Sequence, residues 1–154
     1  MITKTYKIGI SAGTFDVLNV GHISILRKAK AQCEYLIVAV NSDELVLKNK
    51  CTLPVMPLKE RAKIVAELKC VDKVIVQYNL VDINQFKKLK AEMFFVGSDY
   101  IERNDIEGIR WLKEQGKIKF FPYTKEVSSS VIKERIINNA NKILKAQKER
   151  RNNG

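Results

Sequence analysis

The chain has 154 residues, 45% hydrophobic and 29% charged, with a formal net charge of +11. That length fits one domain burying about two-thirds of its unfolded surface, and the composition excludes collagen-like or disordered material. No apolar run approaches the ~18 residues of a bilayer span, and "MITKTYKIGI" lacks a signal-peptide h-region and cleavage site, so a soluble cytoplasmic protein is expected.

In chain order, "KIGISAG" (7–13) is an apolar run ending in glycine and reads as a buried strand. "GHISILRKAKAQC" (21–33) has helical spacing, and "EYLIVAVNS" (34–42) is a continuous β-branched run expected to be covered on both faces. "PLKERAKIVAELKC" (57–70) opens on a first-turn proline and reads as a second helix. Strand "DKVIVQ", helix "DINQFKKLK", strand "EMFFVGSD", helix "IEGIRWLKEQG" and strand "KIKFFPY" follow, and a last helix starts near "SSSVIKERI". Strands alternating with helices at these spacings predict a doubly wound, Rossmann-like α/β domain of about five parallel strands with helices on both faces. The domain is expected over 1–146, with 147–154 a basic, frayed tail.

Ligands in such sheets sit beyond the carboxyl ends of the strands, which selects 13–22, 42–50, 97–100 and 123–130. In "GTFDVLNVGH" (13–22), Gly13 permits a tight turn, Thr14 and Phe15 offer N–H groups, and Gly21 leaves room for a ligand. His22, the single histidine, falls in the first helical turn, where backbone donors and the helix dipole favour an anion. Ser128, Ser129 and Ser130 stand where one serine would suffice as an N-cap. Asp99 ends an apolar strand and serves either a turn or a ligand, and Asp16 is equally a turn-stabilising carboxylate.

Cys33, Cys51 and Cys70 are odd in number and far apart, so they read as reduced, mostly buried thiols; with one histidine they give no metal-ligand set. The net charge raises nucleic acid as a partner. Seven of the basic residues lie between Lys133 and Arg151, and no aromatic occurs from 133 to 154, so base stacking is unsupported and a solvated helix face is expected.

"GTFDVLNVGH" resembles the GTFDxxHxGH signature of the nucleotidyltransferases that include glycerol-3-phosphate, choline-phosphate and ethanolamine-phosphate cytidylyltransferases. "YLIVAVNSDEL" with a following Lys-x-Lys pair, "PLKERAKIVAELKCVDKVI", "FFVGSDY" and "FPYTKEVSSSVIKERI" fall in the family's order; "VNSD", "PLKER" and "VGSDY" are also similar to the adenylyltransferase that activates heptose phosphates. The resemblance implies attack of an acceptor phosphate on the α-phosphorus of CTP, with Mg²⁺ on the triphosphate, and a homodimer. It implies roles in phosphate handling for His22, Asn19, Lys48 and Lys50. It adds Ser128–Ser130, with Tyr123, Thr124 and Lys125 in the segment where the family carries an RTEGISTT-like stretch, and Asp99. Arg61 and Asp72 match family positions, although a helix–loop ion pair explains them adequately.

Two departures stand out. Asn19 occupies the place of the first signature histidine, and Tyr123 that of the arginine opening RTEGISTT. An amide donates a hydrogen bond but carries no charge, while Lys125 restores positive charge without a bidentate fork. Three functions stay open: a cytidylyltransferase making a CDP-activated compound for surface polysaccharide or lipid synthesis, an ATP-dependent adenylyltransferase acting on a sugar phosphate, and a non-catalytic nucleotide-binding module.

Overall fold

The computed structural model describes residues 5–122 and 127–152. Five parallel strands, β1 (Tyr6–Gly13), β2 (Cys33–Asn41), β3 (Lys73–Gln77), β4 (Met93–Gly97) and β5 (Ile118–Phe121), form one sheet in the order β3-β2-β1-β4-β5. Helices α1 (Val20–Lys30), α2 (Asp43–Lys50), α3 (Leu58–Ala66), α4 (Ile83–Lys88) and α5 (Glu107–Glu114) connect them, a 3₁₀ turn spans Ser98–Tyr100, and α6 (Ser129–Asn152) follows β5.

Alternation along the strands divides the core in two. Leu36, Val38, Val40 and Phe95 pack on one face with Leu26 and Ala29 of α1 and Val65 of α3. Ile37, Ala39, Phe94 and Val96 pack on the other with Phe86 of α4 and Ile109 and Leu112 of α5. Both faces are thereby covered, which is why β4 and residues 36–40 of β2 are apolar throughout. The doubly wound expectation holds.

Three local features add to that expectation. The stretch after β2 is a helix, α2, capped by Ser42, whose Oγ accepts from Leu45 N at 3.1 Å, with Asp43 and Glu44 in its first turn. Helix α6 runs unbroken across residue 146 to Asn152, in a stretch with neither glycine nor proline. Cys51 is exposed, because it ends α2 in the left-handed conformation at φ 55°; only Cys33 is fully buried. None of the described helices is long and apolar enough to cross a membrane.

Candidate active site

The strand order reverses direction between β1 and β4, and parallel sheets open a crevice at such a point. A cleft of about 640 Å³ lies there, beyond Gly13 of β1 and Gly97 of β4, within the size range of small-molecule sites. Its floor is the turn from β1 to α1. One wall is Lys50 of α2 with residues 52–55, another is Asp99 and Tyr100, and Ser128–Ser130 with Lys133 close it from α6.

The turn bends at unexpected residues. Gly13 has no left-handed backbone; Phe15 (φ 53°) and Val17 (φ 48°) do. Such conformations cost of order 1–3 kcal/mol each in non-glycine residues and persist where surroundings over-determine them. Here they do. Asp16, between the two, is 3% exposed and accepts from the amides of Val55 (2.9 Å) and Met56 (3.0 Å) while pairing with Lys133 Nζ (2.5 Å). Burial alone would raise its pKa, but these donors together hold it below the ordinary value. The Asp16 carbonyl accepts from Ser129 Oγ at 2.5 Å. Arg61 is fully buried and donates to the carbonyls of Thr14 (2.5 Å), Met56 (2.9 Å) and Asn41 (2.9 Å) and to Asp43 (2.5 Å). Asp72 pairs separately, with Lys30. What reads in the sequence as an ion pair is, for Arg61, the strut beneath the site.

Asn19 and His22 form a reciprocal cap on α1. Asn19 Oδ1 accepts from Gly21 N at 2.9 Å, and its Nδ2 donates to Val17 O (3.2 Å) and Ser129 Oγ (3.5 Å). Both ends of the amide are thus committed to protein, and Asn19 does not line the cleft. The extended N-cap backbone folds the side chain back over the helix start, so the phosphate-donor role expected for Asn19 would require it to exchange a protein partner for the ligand. Gly21 also makes room within the protein, since a Cβ there would meet Asn19 Oδ1 at 3.0 Å and Val127 Cγ2 at 3.1 Å. It lets 127 pack against the helix start.

His22 does line the cleft. Its Nδ1 accepts from Asn19 N at 3.2 Å, which leaves the ring proton on Nε2. Burial and then the nearby Lys50 charge push its pKa below 6.5, against a smaller opposing pull from Asp16, so the ring is neutral at pH 7. Asp99 shifts the other way, raised by burial against the opposing charges of Lys50 and Arg103.

Of the other expected residues, Gly13, Thr14, Phe15, Lys50, Ser128, Ser129 and Ser130 line the cleft. Their roles differ. Ser128 Oγ caps α6 by accepting from Val131 N (3.3 Å), Ser129 buttresses the turn, and Phe15 is buried with its ring 5.5 Å from that of His22. Lys48 is exposed and does not line the cleft, because two residues along a helix turn it well round from Lys50. Tyr123, Thr124 and Lys125 lie outside the described residues. Lys133 is the cleft cation that the sequence reading missed, having counted it with the basic run; its spacing of four from Ser129 was the available signal.

A family model described as cytidylyltransferase-like matches residues 10–135. A bifunctional protein HldE of Helicobacter pylori is 38% identical over 131 residues, covering 84% of this chain and 27% of its own length. A protein of the same name from Granulibacter bethesdensis is 34% identical over 102 residues, 66% of this chain and 21% of that one. The chain therefore spans about a quarter of the length of these curated relatives. The crystal structure of the lipopolysaccharide core biosynthesis protein from Thermoplasma volcanium GSS1 matches with a TM-score of 0.63 at 21% identity, over 77% of this chain and 99% of that chain. That likeness shows a shared fold.

Proposed function

The chain belongs to the cytidylyltransferase-like family of nucleotidyltransferases, and on that premise we propose that it transfers AMP from ATP to the phosphate of a sugar phosphate, releasing pyrophosphate. The observation that carries the reaction type is the convergence on one cleft of the β1–α1 turn, His22, Lys50, Ser130 and Lys133. The choice of ATP over the CTP suggested by the opening signature rests on two supports. "VNSD", "PLKER" and "VGSDY" resemble the heptose-phosphate adenylyltransferase, and the relatives named HldE align over 66–84% of the chain.

The chemistry fits the residues. An acceptor phosphate is largely dianionic at neutral pH, so no strong general base is needed. One of its oxygens bonds to the α-phosphorus while the bond from that phosphorus to the bridging oxygen breaks, and pyrophosphate leaves with the electron pair. The barrier comes from bringing two polyanions together and from charge building on the equatorial oxygens. Preorganised donors lower it: the turn's amides at the α1 N-terminus, Nε2–H of His22, and the ammonium groups of Lys50 and Lys133. A neutral His22 donates without accepting the proton of any reacting group. Lys133 stays oriented by Asp16, which also neutralises it until a phosphate arrives.

Magnesium, where bound, neutralises triphosphate charge. Among the described residues no cluster of three or more His, Cys, Asp or Glu could hold a metal. Of the cleft carboxylates Asp16, Asp99 and Glu134, Asp16 is committed to Lys133 and two amides, and Asp99 beyond β4 is the one we assign to an ion carried on substrate phosphates, which suits a cation that keeps several waters.

The test is pyrophosphate release with Mg²⁺, each of the four nucleoside triphosphates, and a panel of sugar phosphates, glycerol 3-phosphate, phosphocholine and phosphoethanolamine. ATP with a sugar phosphate is the expected productive pair. Turnover with CTP and one of the smaller acceptors would return the assignment to a cytidylyltransferase. Nucleotide binding without pyrophosphate would make the chain a binding module.

A further inference from the structure

A second, smaller cavity lies beside the large cleft. It holds about 10 Å³, room for one water-sized group, and Gly13 and Tyr100 border both spaces. Leu80, Val81 and Phe94 make much of its lining apolar. Two amides break that pattern: Asn41 at the end of β2 and Gln77 at the end of β3, 6% and 3% exposed. Burying an amide costs free energy unless its donors and its acceptor find partners.

Both ends of the Asn41 amide are committed to protein. Its Oδ1 accepts from Gln77 Nε2 at 3.0 Å, its Nδ2 donates to Thr14 Oγ1 at 3.5 Å, and its backbone carbonyl is held by Arg61. Gln77 differs. Among the described residues its side chain makes only the bond to Asn41, which leaves Oε1 and one amide hydrogen over. Yet no fully buried side-chain nitrogen or oxygen among those residues lacks a partner. Gln77 Oε1 therefore keeps access to open space, and the space that Gln77 lines is the cavity. A free acceptor beside a free donor matches a hydroxyl group, which donates and accepts at once.

The position of the cavity selects the substrate. In phosphoryl-transfer chemistry the attacking and leaving oxygens lie roughly in line, on opposite sides of the phosphorus. Ser129 and Lys133, the groups suited to a leaving pyrophosphate, are tied to Asp16 at the start of α1, which packs on one face of the sheet. The cavity lies on the other face, among Val81, Phe94 and Val96 of the core that α4 and α5 cover. A nucleophile in line with that leaving group comes from the side of the cavity, so the group that enters belongs to the acceptor and not to the nucleotide. Resting on the adenylyl-transfer reading above, we propose that Gln77 is a specificity-determining residue: it reads one hydroxyl of a polyhydroxylated acceptor phosphate through this cavity, and Asn41 orients it. Phosphocholine, which has no carbon-bound hydroxyl, offers the cavity nothing.

The side-chain NH₂ signals of Gln77 in the NMR spectrum of the wild-type protein test this without turnover. With Mg²⁺ and α,β-methylene-ATP, which cannot release pyrophosphate, mannose 1-phosphate or glycerol 3-phosphate is expected to shift them. Phosphocholine, inorganic phosphate and the nucleotide alone should not. Signals moved by the nucleotide alone, moved equally by phosphocholine, or indifferent to both polyol phosphates would overturn the proposal. Kinetics with the acceptor that turns over gives the second measurement. Gln77→Met keeps the side-chain length without the amide and should lower kcat/KM about tenfold, the weight of one hydrogen bond, with KM for ATP unchanged. The deoxy acceptor lacking the hydroxyl in question should lose the same factor in the wild type and nothing further in Gln77→Met. An equal rise in KM for ATP would make Gln77 a structural residue instead. Gln77 shifts with a polyol phosphate, but no pyrophosphate from any nucleotide, would support the cavity's role and refute adenylyl transfer; pyrophosphate release with silent Gln77 signals would do the reverse.

Discussion

The two sides of the β1–α1 turn are built on different terms. On the rear, Arg61 and Asn19 have their polar groups matched by protein partners, as does Asp16 of the cleft lining, and two left-handed residues sit among them. On the front, His22, Lys50 and Ser130 look into a cleft. Residues behind the turn hold strain in place and so contribute to stability and activity together. Residues in front are kept ready for an anion and should affect activity far more than stability.

Breaking the rear at its most buried point should have the largest effect. Arg61→Met leaves three carbonyls and Asp43 without their donor, and loss of one partner from a buried network of this kind costs about 3 kcal/mol or more. Urea unfolding should show that loss, and activity should fall with it. An unchanged midpoint would mean that the turn is held by something else.

The front should separate the two readouts. His22→Ala removes a donor aimed at developing charge, on the scale of about a hundredfold in kcat/KM, while disrupting one cap bond worth about 1 kcal/mol. Equal losses in both measurements would erase the distinction between the two sides. The same residue gives a pH signature. Its pKa is lowered in the folded state, so the unfolded chain binds the proton more readily. His22 therefore contributes stability that is complete above its unfolded value of 6.5 and is lost as the pH falls through that value towards the folded one. His22→Gln should lack that part of the pH slope in unfolding experiments between pH 7.5 and 5.

A finer comparison lies within α2. Lys50→Ala should lower kcat/KM by about tenfold, the weight of one charge-assisted contact, while Lys48→Ala should be nearly silent. A reversed order would place the cleft on the other side of α2. The smallest expected effect tests Asn19. Asn19→Ala should cost about 1 kcal/mol of stability, and Asn19→Ser, which keeps a capping acceptor, should recover most of it. An Asn19→Ala variant with full stability and collapsed turnover would restore the direct phosphate role that its position in the signature suggested.

The sequence by itself determined the sheet. Apolar runs such as 36–40 can be satisfied only by cover on both faces, and their alternation with amphipathic helices admits little besides parallel, doubly wound topology. It also located the turn that bears His22, because glycine, signature and helix start are local features. Helix α2 carried a legible signal in "NSDE", a cap followed by acidic residues, but its eight residues show little amphipathic spacing. Tertiary structure alone decided which residues face the cleft. Asn19 and His22 are three apart, yet one turns back onto the helix and the other forward, a division set by the Ser129 and Val17 partners that Asn19 meets in space. Lys133 joins Asp16 across more than a hundred residues, and Arg61 reaches Thr14 from a different helix. Local spacing records the periodicity of one element at a time, whereas the site is made where the ends of four elements converge, and that convergence exists only in the packed sheet.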